Sequence, residues 1–384
     1  MSIRSHCHQL RSRRRKGNIL VLSVFLMILM MAMVAFAVDI GYLCVVRNEL
    51  QRSADAAADA ACWDLINSSG PAGTTNYTTM TVSAKATATQ FASLNQVMKH
   101  SPTLGANDVE VGYIANPRDP SSPFLTDSVL APNAVRVKIL QNGEQNGQVP
   151  LFFGKVLGMN HVSAQAEATA AVLNSFVGFK APSDGSNLGI LPFALDEDTW
   201  NDVMNGGGTD DYTYNTETGA VTTGHDGIKE INLYPQGTGS PGNRGTVDIG
   251  SSNNSTADIT RQINSGISAS DLAHMGGKIQ FDSNGKLYLN GDTGISAAVK
   301  DDLAAIVGKP RIIPIFRSVS GPGNNATYTI VKFVGIRINY VKLTGSMSNK
   351  QVIIQPAICT VKGGIPSTAG VTSDFVYSPV WICR

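Results

Sequence analysis

Charge is scarce in this chain: Asp, Glu, Lys and Arg together make up 15% of its 384 residues, well below the roughly 25% usual for globular proteins. What charge there is is segregated. Six of the 30 basic residues fall within residues 1–17 with no acid among them, so the rest carries 29 acids against 24 bases. A mildly acidic body offers no electrostatic footprint for nucleic acid. Cysteine is sparse, at five residues, and no pair stands at metal-ligand spacing with a His, so no structural or catalytic metal is expected. G-x-S-x-G and the phosphate-binding G-x-x-x-x-G-K-[ST] are both absent. The one G-x-G-x-x-G, Gly237 to Gly242, contains Pro241 and runs into Asn243 and Gly245. It reads as coil, whereas a pyrophosphate site needs a helix start. Asp282-Ser283-Asn284-Gly285 lacks the terminal acid of a calcium loop and reads as a hairpin turn. No enzyme, cofactor or small-molecule substrate is expected. The remote enzymatic alternative would need a deep pocket gathering His225 or His274 with carboxylates.

What the chain has is one long hydrophobic run. Ile19 to Val38 holds 20 residues with no charge and a single polar residue, Ser23. As a helix it would cover about 30 Å, the thickness of a bilayer's hydrocarbon core. Arg13, Arg14, Arg15 and Lys16 stand directly before it, which by the positive-inside rule keeps the N-terminus in the cytoplasm. Tyr42 follows at the position of an interfacial aromatic. The expectation is a single-pass protein of the cytoplasmic membrane with its C-terminal domains outside. The alternative is a secreted or surface adhesin whose leader is cleaved after Ala37, since Ala35-Phe36-Ala37 has the A-x-A form. The run is longer than the 7–15 residues of a usual leader.

The helical pattern does not stop at the membrane. Leu43, Val46, Leu50, Ala54, Ala57, Ala61 and Leu65 recur at steps of three and four with no proline up to Asn67, which describes one face of a straight helix. Much of that face is alanine, so a second helix could approach closely. These residues are expected to serve packing and self-association of subunits, the alternative being a stalk packed on its own domain. Asp39 sits at the outer boundary of the apolar run, where an acid must be solvated or paired with a base on a neighbour.

These residues also carry a resemblance. Arg15-Lys16-Gly17-Asn18-Ile19, the apolar run, Val38-Asp39-Ile40-Gly41-Tyr42, and Leu50-Gln51-Arg52-Ser53-Ala54-Asp55-Ala56-Ala57 resemble the TadE/TadG-like Flp (tight adherence) pilus-assembly proteins, and the TadG-type N-terminal segment in particular. The resemblance spans about residues 13–62. It implies a bitopic protein of a pilus-assembly or secretion apparatus, working with the membrane and with pilin-like or pilus-assembly proteins. Leu22 stands where a peptidase-processed pilin of this kind has Glu, which favours the unprocessed type. The D-x-S-x-S metal motif of the von Willebrand A domain found in some TadG-type proteins does not occur.

Beyond the helix the pattern is α+β: a basic tail (1–17), the membrane and amphipathic helix (18–67), an α+β unit like that of pilin subunits (74–179), and a mainly β domain with short helical insertions (180–384). A second helix is expected over Thr79–Lys99. Strands are expected at Asp108–Ile114, Ala134–Leu140 and Val162–Val172, with Val149–Leu157 ambiguous between strand and helix. In the last domain, helices are expected at Ser255–Ser265 and Ser296–Val307, and strands at Lys278–Phe281, Lys286–Leu289, Arg311–Val319, Tyr328–Asn339 and Gln351–Val361. Cys359 and Cys383 could close a disulfide in an oxidising compartment. Residues 180–384 are expected to supply partner contacts.

Overall fold

The structure, a computed structural model, describes residues 18–69, 77–127, 130–233, 245–250, 255–292, 297–322, 325–346, 349–367 and 373–384. The basic cluster Arg13, Arg14, Arg15 and Lys16, Cys7 and the Gly237–Gly242 motif lie outside these residues. The architecture is α+β.

Helix α1 (Asn18–Ser68) runs unbroken for 51 residues, about 76 Å at 1.5 Å per residue. Its first part is apolar all round, long and apolar enough to cross a membrane, and wholly unburied. From Asp39 onward one face is covered. Helix α2 (Tyr77–Leu94) turns back along it and buries Met80, Ala84, Ala88 and Ala92, one residue per turn. Small side chains on both helices allow close approach, close enough for Ser53 Oγ to donate to the Ala92 carbonyl at 3.2 Å. Sequence periodicity carried α2 to Lys99, but the helix stops five residues earlier. Met98 and Lys99 adopt left-handed φ values of 50° and 65°, and the Met98 N–H donates to Glu49 Oε2 of α1 at 2.8 Å.

The helix pair lies on an antiparallel sheet of β1 (Val109–Gly112), β2 (Ala134–Gln141), β5 (Ala164–Ala171) and the C-terminal strand Trp381–Ile382. Alternation along these strands sorts the two faces. Val135, Val137 and Ile139 of β2 sit opposite Ala170, Ala168 and Ala166 of β5, so a row of branched residues meets a row of alanines and α1 settles over the low side. On the other face Arg136 reaches Glu110 at 3.2 Å and Glu167 at 3.5 Å while lying over the Phe124 ring. Between β2 and β5 a small hairpin protrudes, formed by β3 (Val149–Pro150) and β4 (His161–Val162). The Val149–Leu157 block is thus neither a full strand nor an α-helix: a two-residue strand leads into a single 3-10 turn, Gly154–Leu157.

The chain crosses to the second core just before strand Phe176–Lys180, which pairs with Lys278–Gln280 and Gly364–Pro366. The second core is organised on one 16-residue strand, Thr327–Lys342. Along one edge it pairs with Pro310–Ser320, and along the other with Leu287–Asp292, Ser373–Asp374 and Gln351–Pro356 in turn. The expected strand Gln351–Val361 breaks after Pro356 and resumes at Cys359–Thr360. The expected helix Ser296–Val307 is a 3-10 turn, Ala297–Val299, followed by Lys300–Ala305. Helix Thr256–Ser265 is capped by Ser255, whose side chain accepts from the Asp258 N–H. Ser255→Ala should therefore lower stability by about 1 kcal/mol, read as a small drop in unfolding midpoint. No drop would mean the serine does not cap.

Candidate functional site

The apolar run of α1 ends at Val38, and Asp39 follows. The residue is 6% exposed, and among the described residues its carboxylate is bonded by the chain's own main chain, 113 to 115 residues away. Asp39 Oδ1 accepts from the N–H groups of Phe152 at 2.8 Å and Phe153 at 3.2 Å. Oδ2 accepts from Phe153 at 3.1 Å and Gly154 at 2.7 Å. These donors open the 3-10 turn of the β3–β4 hairpin, where helical geometry leaves N–H groups without internal acceptors. The carboxylate supplies the missing acceptors from another element. Gly154 fits because the space is tight: a Cβ there would lie 2.8 Å from the Met159 carbonyl and 2.7 Å from Leu151 Cδ1.

One turn further along α1, Tyr42 meets Phe152 edge-on, with ring centroids 5.2 Å apart at 68°. The hairpin also closes on itself, through Leu151 N–H to the Asn160 carbonyl at 3.0 Å and Met159 N–H to the Gly154 carbonyl at 3.0 Å. A groove of about 560 Å³ runs between α1 and this loop, lined by Met31, Ala35 and Phe36 on one side and Phe153, Leu157 and Met159 on the other. Sequence reasoning singled out Asp39 but missed the loop. Its signal was a stretch, Leu151 to Met159, that is mostly apolar yet fits neither helical nor strand period.

The alanine face is also differently used. Val46, Leu50, Ala54, Ala57 and Ala61 are completely buried, Leu65 almost so, and Leu43 packs at the edge of the same core. What covers them is α2 and the sheet of the same chain, so this face is not open to a helix of another subunit. The face that sequence assigned to self-association is the spine of the first core.

The expected bridge between Cys359 and Cys383 is not formed. Cys359 sits in the second core with Sγ 3.0 Å from the Arg311 carbonyl, whereas Cys383 follows the C-terminal strand onto the first sheet, beside the Thr169 carbonyl at 3.3 Å. Burial pushes the Cys359 thiol up to about 12, and burial with nearby Asp59 raises Cys62 further. A raised thiol pKa keeps the unreactive protonated form through neutral pH. Brief alkylation of native protein at pH 8 should thus modify exposed Cys44 and spare Cys62 and Cys359 until the fold is denatured. Equal labelling of all three before denaturation would contradict this packing.

His225 lies at the surface against Asp210, 4.0 Å from its Oδ1 and 81% exposed, and His274, itself exposed, ends helix Ala269–His274. The structure brings neither into a deep pocket. Among the described residues no three His, Cys, Asp or Glu side chains group so as to hold a metal ion.

A family model for TadE/G-like Flp pilus-assembly proteins matches residues 17–64. A second, Tad_C, for Tad-like Flp pilus assembly, matches residues 50–170. The two overlap on the outer half of α1, and the second ends within a residue of the end of β5. No curated protein and no solved structure gives a match. Residues 17–170 of this chain are thus similar to Tad-type Flp pilus-assembly proteins, being matched by two family models between them.

Proposed function

We propose that this protein is a single-pass, non-catalytic component of a Tad/Flp-type pilus-assembly or secretion apparatus, with its N-terminus in the cytoplasm and its folded regions outside the cytoplasmic membrane. The observation that carries the reading is the continuity of α1. One helix has an apolar half of which nothing is buried in the fold and an outer half that forms the core of the matched region. A rigid rod of this kind fixes the outer fold at a set distance and orientation from the bilayer. The two matches and the basic cluster before the apolar run support it.

Against the adhesin with a leader cleaved after Ala37, Ala37 lies inside an unbroken helix, two residues before the carboxylate that holds the hairpin. The surface left for partners is that of residues 180–384 and the exposed flanks of α1 rather than the alanine face.

Two measurements test the proposal together. In intact cells of a host with a Tad locus, and in a background with Cys7→Ser and Cys44→Ser, an impermeant thiol reagent should label an introduced Asn284→Cys and not a Ser5→Cys. Loss of the gene should abolish surface pili, with wild-type protein restoring them. Mature protein starting at Val38, labelling at residue 5, or normal pili without the gene would overturn it.

A further inference from the structure

The hairpin held by Asp39 carries more exposed apolar surface than a loop in water should. Phe152, Phe153, Val156, Leu157 and Met159 are 46% to 85% exposed within eight residues, and a contiguous patch of this kind marks an interaction surface. The loop is not loose: four carboxylate–amide contacts, the Tyr42–Phe152 pair and its own turn bonds hold it. Its apolar side chains are therefore kept in place while facing outward.

Their direction is set by what they face. The helix side of the adjoining groove is Met31, Ala35, Phe36 and Ile40, and Phe153 also lines a shallower groove with Met27 and Met30. From Asp39 back to Met27 is twelve residues, about 18 Å along the axis. The loop thus folds back beside the apolar run, toward the N-terminal end of α1, and away from the sheet. Val149 to Val162 contains no acid, and its two basic residues, Lys155 and His161, are exposed. A long lysine stem can lie along apolar surface with its ammonium at headgroup phosphates.

We propose that the β3–β4 hairpin is a second membrane contact: its tip sits among the acyl chains of the leaflet from which α1 emerges, a lipid tail fills the groove against α1, and Lys155 meets anionic headgroups. This rests on the reading that α1 spans the membrane. The patch is continuous with the apolar run itself, which is why lipid rather than a separate partner is its occupant. Asp39 then acts as the clamp that sets how deep the outer fold sits.

The test uses full-length protein carrying Cys7→Ser and Cys44→Ser, reconstituted in phosphatidylethanolamine–phosphatidylglycerol vesicles. Spin labels are placed singly at Leu157→Cys, Leu29→Cys and Asn284→Cys, with the unsubstituted background subtracted. At Leu157 the ratio of oxygen to aqueous nickel-chelate relaxation should exceed that at Asn284 several-fold and approach that at Leu29. A Leu157 label as open to nickel as Asn284, with Leu29 still shielded, would show the loop in water and overturn the inference while leaving the anchored reading intact. Shielding from both relaxants would mean that protein covers the tip, which also overturns it. A Leu29 label open to nickel would remove the spanning reading itself.

Discussion

Replacing Asp39 by Ala should release the hairpin from α1 and destabilise the protein by about 3 kcal/mol. Hydrogen bonds to a charged group contribute roughly 1.5–3 kcal/mol, and each buried donor left without an acceptor costs about 1–3 kcal/mol. Three consecutive N–H groups, those of Phe152, Phe153 and Gly154, depend on this one side chain. The effect should be local first. Hydrogen exchange in full-length protein in detergent should accelerate over residues 151–160 before it does in α2 or β5. Asp39→Asn keeps one acceptor oxygen and should fall between the two. Unchanged exchange at Phe152–Gly154 in Asp39→Ala would show that the loop is held by its own turn bonds and by Tyr42.

Ala57→Leu should cost about 2–3 kcal/mol of fold stability, the upper part of the range for overpacking a filled core. Periodicity alone placed Ala57 on an open face, where a larger side chain would hinder assembly and leave the outer fold untouched. In the structure its side chain is completely buried in the core shared with α2 and the sheet, and three additional heavy atoms have nowhere to go without parting the layers. The midpoint of thermal unfolding should fall, and any assembly defect should follow from that loss. A variant with an unchanged midpoint and impaired assembly would return the alanine face to an intermolecular role.

These two residues mark where the sequence is readable. The helix from Asn18 was legible to within a residue of its end, because an unbroken apolar run and a 3.6-residue period are local properties that no tertiary contact contradicts. The alternation of Val135 and Val137 with Arg136 and Lys138 likewise fixed a strand and its inner face. What covers a face is not local. A stripe of small residues states that something packs closely there, and α2 and an alanine-rich strand over a hundred residues away satisfy it as well as a second subunit would. Asp39 was recognisable as an acid in need of a partner, but main-chain N–H groups have no letter in the sequence, so only side-chain bases could be weighed. The pairing of Cys359 with Cys383 failed for a related reason. Proximity in sequence near the C-terminus says nothing of a terminal strand that leaves the second core for the first. The short elements Phe176–Lys180 and Glu197–Met204 were not assigned, the second although Asp196 caps it and Glu197 and Asp198 stand in its first turn, a helix-start pattern.

That terminal strand has a consequence for how the molecule is made. Trp381 and Ile382 pair with Ala171 and Ala170, and the Thr169 N–H donates to the carbonyl of Arg384. The second core is consequently a long insertion between two neighbouring strands of the first. The sheet against which α1 rests cannot acquire this edge until residues 381–384 have been made. Helix α1 and strand β5 are thus made well before the strand that completes their sheet.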